Sequence, residues 1–288
     1  MKKGLLACIF ILVSIAGRAY SLTLAETGDQ LGGIDEQKFD RPAFWGTTLV
    51  NLPTTETPDK GDFLFRISHR FLPPLSSGSD SFAGLDGPAY ILLSMGYGIT
   101  DNLTVTAGRS NLHQEWELRA DYAVLDRART PASPLSCTLH AGGSYVTEEQ
   151  PPNAEWSGRF RWSALVSLSR QINDRLSLLA VPAYSSNTNF WTPASEGTFG
   201  LGVGGRVVVF DEISFIGEWI PVLSGYEEVA DGWGLGIEKN TGGHVFQIIV
   251  TGSYGLMASQ YLVGGDLGGS GADVGDRLRF GFNIYRTL

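Results

Sequence analysis

Cysteine is nearly absent: the 288 residues hold two, Cys8 and Cys137. Cys8 falls in an N-terminal segment expected to be removed, so no intramolecular disulfide framework is available to the remainder. Charge is scarce, at 18% of residues against about 25% in an average soluble domain. Basic residues are also outnumbered, 21 Lys and Arg against 30 Asp and Glu, which argues against a nucleic-acid-binding face. The four histidines, His69, His113, His140 and His244, show no metal-ligand spacing such as H-E-x-x-H, and neither metal nor cofactor is expected. Long apolar runs are missing beyond the N-terminus. The only charge-free stretch near helix-spanning length, Val245 to Gly265, is interrupted by Gln247, Gly252, Ser253, Gly255, Ser259 and Gln260. It reads as a strand followed by a loop rather than a transmembrane helix.

What is present begins with an export signal. Lys2 and Lys3 precede an apolar run from Leu5 to Ala16, and Ala19-Tyr20-Ser21 offers a small-residue cleavage site. Residues 1–21 are therefore expected to be a signal peptide. The lipobox-like Leu5-Leu6-Ala7-Cys8 comes too early to leave a usable apolar region before it. Cleavage would reduce the bases to 18 against 30 acids, a net charge of −12.

The second positive signal is alternation. Glycine is abundant, with 37 residues, and period-two patterns recur along the chain. They predict strands over 61–71, 89–99, 103–110, 115–125, 135–147, 157–171, 176–186, 198–210, 213–223, 231–241, 244–254 and 276–286. Pro182 and Pro221 fall inside two of these and should mark a rim or a bulge. The connections alternate in length. Tight turns such as Thr100-Asp101-Asn102, Asp211-Glu212 and Gly242-Gly243 alternate with longer loops such as 72–88, 187–197 and 255–275. The connections 111–114 and 126–134 fit this rule less well. The last strand lies at the C-terminus, with Leu278, Phe280, Phe282 and Ile284 alternating with polar or small residues.

Together these features predict an all-β, transmembrane up-and-down antiparallel β-barrel of about 12 strands in the outer membrane, spanning 61–288. Residues 22–60 lack the ladder pattern and are expected to form a periplasmic or lumen-inserted segment, with Ala43 to Leu52 a candidate extra strand. A soluble β-sandwich is the main alternative fold.

The polar strand faces collect Arg66, Arg70, Arg119, Arg161, Arg206, Arg277 and Arg279 with Glu117, Asp121, Glu218 and Glu238, a candidate pore lining. Such rows either tune an aqueous pore or lace a narrow lumen shut through Arg–carboxylate pairs. Phe280, Phe282, Ile284 and Leu288 are candidate membrane-assembly residues, with outer-membrane lipid and the barrel-assembly machinery as partners. The acidic loops, with Asp80, Asp86, Glu148, Glu149, Glu155, Glu196, Glu227, Glu228, Asp266 and Asp273, offer themselves to divalent cations or form a solvated rim. Gly268 to Asp273 resembles one turn of a calcium-binding repeat, yet lacks stacked copies.

Gly200-Leu201-Gly202-Val203-Gly204-Gly205 matches G-x-G-x-x-G, but Val207, Val208 and Val209 continue a strand where a nucleotide site needs a helix. The glycines are expected to thin the lumen side of the wall. No enzyme is expected; a hydrolase using His140 with a serine such as Ser136 or Ser144 lacks an identifiable orienting carboxylate.

Several stretches carry a family likeness: Phe44-Trp45-Gly46-Thr47-Thr48-Leu49-Val50-Asn51, Glu56 to Gly61, Phe65-Arg66-Ile67-Ser68-His69-Arg70-Phe71, Tyr97 to Asp101, His244 to Gln247 and Phe280 to Ile284. With these the chain resembles an uncharacterised family of Gram-negative outer-membrane β-barrel proteins, a domain of unknown function. The resemblance implies a barrel and no particular activity. The functional expectation is a passive pore or structural membrane protein. The alternatives are a small-molecule binding or uptake barrel gated by residues 22–60, and a lipid or polymer hydrolase.

Overall fold

Alternating sequence becomes a closed antiparallel sheet. In the computed structural model, the described residues are 41–127, 133, 135–149, 156–191, 197–228, 230–265 and 274–288. The expected signal peptide, residues 22–40 and the loop acids Glu155, Glu196, Asp266 and Asp273 lie outside them. The strands are β1 (Phe63–Phe71), β2 (Ala89–Gly98), β3 (Leu103–Ser110), β4 (Glu115–Leu125), β5 (Ser136–Val146), β6 (Phe160–Gln171) and β7 (Leu176–Ser185). They continue with β8 (Thr198–Phe210), β9 (Ile213–Ile220), β10 (Val222–Gly225), β11 (Gly232–Asn240), β12 (His244–Thr251) and β13 (Arg279–Thr287). Each pairs antiparallel with its neighbour, and β1 pairs with β13 to close the cylinder. Closure joins the sheet into a continuous ring, as a hydrocarbon environment requires, and only the short β10 has a strand on one side alone, β8.

The barrel has twelve staves, because β9 and β10 are one stave broken at Pro221. Proline has no N–H to give the ladder. Its carbonyl still accepts the Leu201 N–H at 3.1 Å, while the Val222 N–H turns to Asp231 Oδ1 at 3.1 Å. The strand expected over 213–223 is split there for that reason. Pro182 stays inside β7, but the β6–β7 ladder passes from Leu165–Ala183 to Leu168–Ala180 around it.

The short connections 99–102, 172–175, 211–212 and 241–243 gather at one end with both ends of the barrel sequence, where Phe63 and Leu288 exchange backbone hydrogen bonds of 3.1 and 2.8 Å. In outer-membrane barrels the short-turn end faces the periplasm.

Outward-facing side chains are mostly apolar, with charged exceptions such as Arg109, Arg170 and Lys239 towards the strand ends, and aromatic residues are concentrated at both rims. On the loop side, Trp116, Tyr145, Phe160, Tyr184, Phe199, Trp219 and Trp233 follow one another across neighbouring strands, several in direct register. Phe63, Tyr97, Tyr122, Phe210, Phe215 and Phe246 form the counterpart near the short turns. Two such belts around an apolar band are what a bilayer selects. No helix among the described residues is long and apolar enough to cross a membrane.

Candidate functional site: an occluded lumen

The segment expected to be periplasmic or lumen-inserted turns back on itself as a hairpin. Thr48 and Pro53 form an isolated bridge, Thr54 N–H donates to Thr47 O at 3.0 Å, and Leu49 N–H donates to Leu52 O at 2.8 Å. The turn presents three successive backbone N–H groups, and Glu218 on β9 accepts all of them. Val50 and Leu52 donate to Oε2 at 3.0 Å each, and Asn51 reaches Oε1 at 2.9 Å and Oε2 at 3.0 Å. The opposite edge of the turn meets donors. Arg70 Nη2 donates to Val50 O at 3.1 Å and Asn51 Oδ1 at 3.0 Å, and Asn283 Nδ2 donates to Val50 O at 3.0 Å. Gln247 donates to Thr48 O, whose hydroxyl is bonded to Tyr285. Arg206 closes the base, donating to Pro42 O at 2.6 Å with its guanidinium 4.6 Å above the Trp45 ring.

Ala43 to Leu52 therefore adds no strand to the sheet; side chains of the wall hold the hairpin in place. The glycine run of β8 is its cradle. A Cβ at Gly202 would lie 2.4 Å from Leu52 Cδ2, and one at Gly204 would lie 2.5 Å from Leu49 Cδ2. On β11, a Cβ at Gly234 would lie 2.7 Å from Val50 Cγ1. Bare backbone is what lets three apolar side chains fill the lumen. They join Leu165, Leu179, Val181, Ile216, Ile220 and Ile249 of the wall in one buried cluster. Each such side chain withdrawn from water stabilises the seat by roughly 1.5–3 kcal/mol.

A second insert enters from the loop end. Residues after β12 fold inward as a short helix, α1 (Ala258–Tyr261), and Ala258, Tyr261 and Leu262 complete the same cluster. Glu115 on β4 is its anchor, accepting Ser259 Oγ at 2.7 Å, Gln260 Nε2 at 3.0 Å and Arg161 Nη1 at 2.9 Å. Arg161 and Glu115 are both fully buried; the carboxylate is satisfied by the ion pair and the neutral donors, while Arg161 Nε and Nη2 have no hydrogen-bond partner.

Between the inserts lies a polar chain. Arg119 holds Asp121 through Nε at 2.8 Å and Nη2 at 3.2 Å. Asp121 Oδ1 is 2.7 Å from His140 Nδ1, and His140 Nε2 is 2.9 Å from Ser167 Oγ. The orienting carboxylate not found in the sequence is thus Asp121, and the serine is Ser167 rather than Ser136 or Ser144. Ser167 gives its hydroxyl proton to the hairpin's Pro53 carbonyl at 2.7 Å. A hydroxyl has one proton, so His140 receives none from Ser167; the group ties hairpin to wall and is not poised as an activated nucleophile.

Arg66, Arg70, Arg119, Arg161, Arg206, Glu117, Asp121, Glu218 and Glu238 all take the inward face of their strands. Arg277 does not line the wall: it ends the short helix α2 (Val274–Arg277) and borders an outer recess with Trp219, Trp233 and Asp231. β13 starts only at Arg279, which sits at the loop rim and donates to Leu72 O and Asp276 O. Phe280, Phe282 and Ile284 alternate with inward Gly281, Asn283 and Tyr285, and His69 stacks on Phe282 at 4.8 Å. The backbone of Leu288 pairs with Phe63, and its residue surface is exposed.

Sequence reasoning missed Glu115, Ser167, Gln247, Asn283 and Tyr285. Each sits on the inward phase of a strand that the alternation located, so the phase was their only signal. Among the described residues, no group of three or more His, Cys, Asp or Glu side chains is gathered as a metal site.

The closed twelve-stave cylinder, its aromatic belts and its filled polar lumen define an outer-membrane β-barrel. A family described as a membrane-bound beta barrel domain (DUF5777) matches residues 44–288, and the chain belongs to it. No curated protein matches the sequence. Among solved structures, the KdgM porin is similar over 79% of this chain and 99% of its own, with 7% identity and a TM-score of 0.48. An outer-membrane channel from Pseudomonas putida F1 is similar over 81% and 97%, with 11% identity and a TM-score of 0.47. Outer membrane phospholipase A from Escherichia coli is similar over 83% and 95%, with 13% identity and a TM-score of 0.42. Likeness at these levels carries no statement about function.

Proposed function

We propose that this barrel is a passive channel for small solutes, held closed by its own N-terminal hairpin. The observation that carries this reading is how the hairpin is bound. It contributes no strand to the wall, and side-chain hydrogen bonds, centred on Glu218, hold it there with the packing of its apolar tip. Its withdrawal would leave every ladder pairing intact, so the closed and open forms differ by a local displacement and not by unfolding.

The lining also suits a channel of low selectivity. The inward-facing cations Arg66, Arg70, Arg119, Arg161 and Arg206 are matched in number by Glu115, Glu117, Asp121, Glu218 and Glu238. A lumen so balanced favours neither sign strongly. Liposome swelling in small neutral sugars tests the reading. Intact protein should admit them slowly, and protein lacking residues 41–58 should admit them fast. Equal, slow swelling by both would leave a structural barrel with no passage.

A further inference from the structure

The lumen wall from β1 to β4 contains a group of polar side chains without partners. Arg66 is 7% exposed and makes no hydrogen bond or ion pair with any described residue, and its Nε is fully enclosed. The Thr104 hydroxyl is likewise buried and unpartnered, at 2% exposure. Both line one cavity of about 20 Å³, together with Ser94 and Thr106. The register explains the convergence. Arg66 lies directly opposite Ser94, Thr106 opposite Arg119, and Thr104 opposite Asp121. Gly96 leaves room among them, since a Cβ there would lie 3.1 Å from Thr106 Oγ1.

Buried donors left unpaired cost about 1–3 kcal/mol each, more when charged, so Arg66 Nε and the Thr104 hydroxyl at one cavity call for an occupant. The acids nearby are already committed. Asp121 is held by Arg119 and His140, Glu117 lies 4.0 Å from Arg119, and Glu56 accepts the Phe44 N–H at 3.2 Å. Of the two arginines that line this cavity, Arg119 is paired with Asp121 while Arg66 has no hydrogen-bonded acid, so the cavity suits an occupant of negative charge. A cavity of about 20 Å³ holds little more than one water, which limits the ligand to a monatomic anion or one as small as formate.

We infer that Arg66, Ser94, Thr104 and Thr106 form a binding site for a small monovalent anion of chloride size. Entry is from the short-turn end: Thr47, Glu56, Thr57, Pro58 and Leu64 line both this cavity and an adjoining mouth recess of about 220 Å³. Hairpin residues supply part of the wall, so the anion stabilises the seated form by mass action. The site stands on the closed structure alone and does not depend on solute passage.

The test uses the folded full-length barrel in detergent, with chloride replacing methanesulfonate at constant ionic strength. The thermal unfolding midpoint should rise saturably with chloride. Arg66→Gln should weaken that response at least tenfold. Thr104→Val, which removes an unpartnered hydroxyl, should raise the midpoint without chloride and blunt the response to it. If Arg66→Gln does not fold, Thr104→Val and an anomalous bromide peak beside Arg66 in crystals still decide the matter. A wild-type midpoint indifferent to chloride, an undiminished response in the variants, or bromide absent from this cavity would overturn the assignment.

Discussion

Both carboxylate oxygens of Glu218 accept the backbone N–H of Asn51, at 2.9 and 3.0 Å. One acid on the wall thus organises the tip of a hairpin far away in sequence, and the flanking Val50 and Leu52 N–H groups share it. Glu218→Ala would leave these donors buried and unpaired, a loss of about 2–5 kcal/mol in hairpin seating. Added protease should then cleave between residues 41 and 58 while the barrel remains resistant. Resistance equal to wild type would deny Glu218 its role.

The cradle on β8 predicts a steric counterpart. Gly202→Leu places a side chain where Leu52 now lies, with even its Cβ overlapping Leu52 Cδ2 at 2.4 Å. The hairpin should be displaced and become protease-sensitive with no loss of ladder. Gly143→Ala meets nothing within 4 Å and should behave as wild type. Proteolysis of the two variants side by side reads out the difference.

Glu115 and Arg161 should show strong coupling. Either single neutralisation, Glu115→Gln or Arg161→Gln, strands a buried charge and should lower stability by about 3–5 kcal/mol. The double variant removes both charges and should lose less than the sum of the singles. Heat-modifiable gel mobility gives the unfolding midpoints for the cycle; additive losses would mean that the two charges act independently.

Seating should weaken as pH rises. Burial pushes the Glu56 carboxyl up to about 7, with Asp126 adding to the shift and the Phe44 N–H and Arg206 opposing it. A seated hairpin therefore binds the proton more tightly than a withdrawn one, whose carboxyl titrates near 4.5. The penalty of the charged form accrues between those values and is complete above 7. Protease sensitivity of the hairpin should increase from pH 5 to pH 8, and Glu56→Gln should remove that increase. A slope of opposite sign would contradict the assignment.

The strands were legible in the sequence because a barrel wall imposes period two on every stave. β3, β4 and β8 fall on their expected residues, and most other ends shift by one to three. What the alternation could not show is what fills the lumen. Glu218 and Glu238 were recognised as inward; Glu238 meets Ser214 and Gln247 directly across the ladder, but Glu218 is held by backbone N–H groups of a distant segment, which leave no periodic trace. Pro221 was expected to mark a rim or a bulge, which did not reveal that the stave breaks there and that β10 keeps its place beside β8. Gly202 and Gly204 were legible as a thinning of the wall, whereas the leucines they receive lie in a segment with no strand pattern. Arg277 shared the phase of Arg279 and was drawn into the ladder, yet the chain is still helical at that point.

Single-channel recording in planar bilayers tests the central claim most directly. Full-length protein should remain closed with rare openings, while protein lacking residues 41–58 should conduct in steady, uniform steps with weak ion selectivity. Steps of the same size and frequency from both proteins, or silence from the shortened one, would contradict closure by the hairpin.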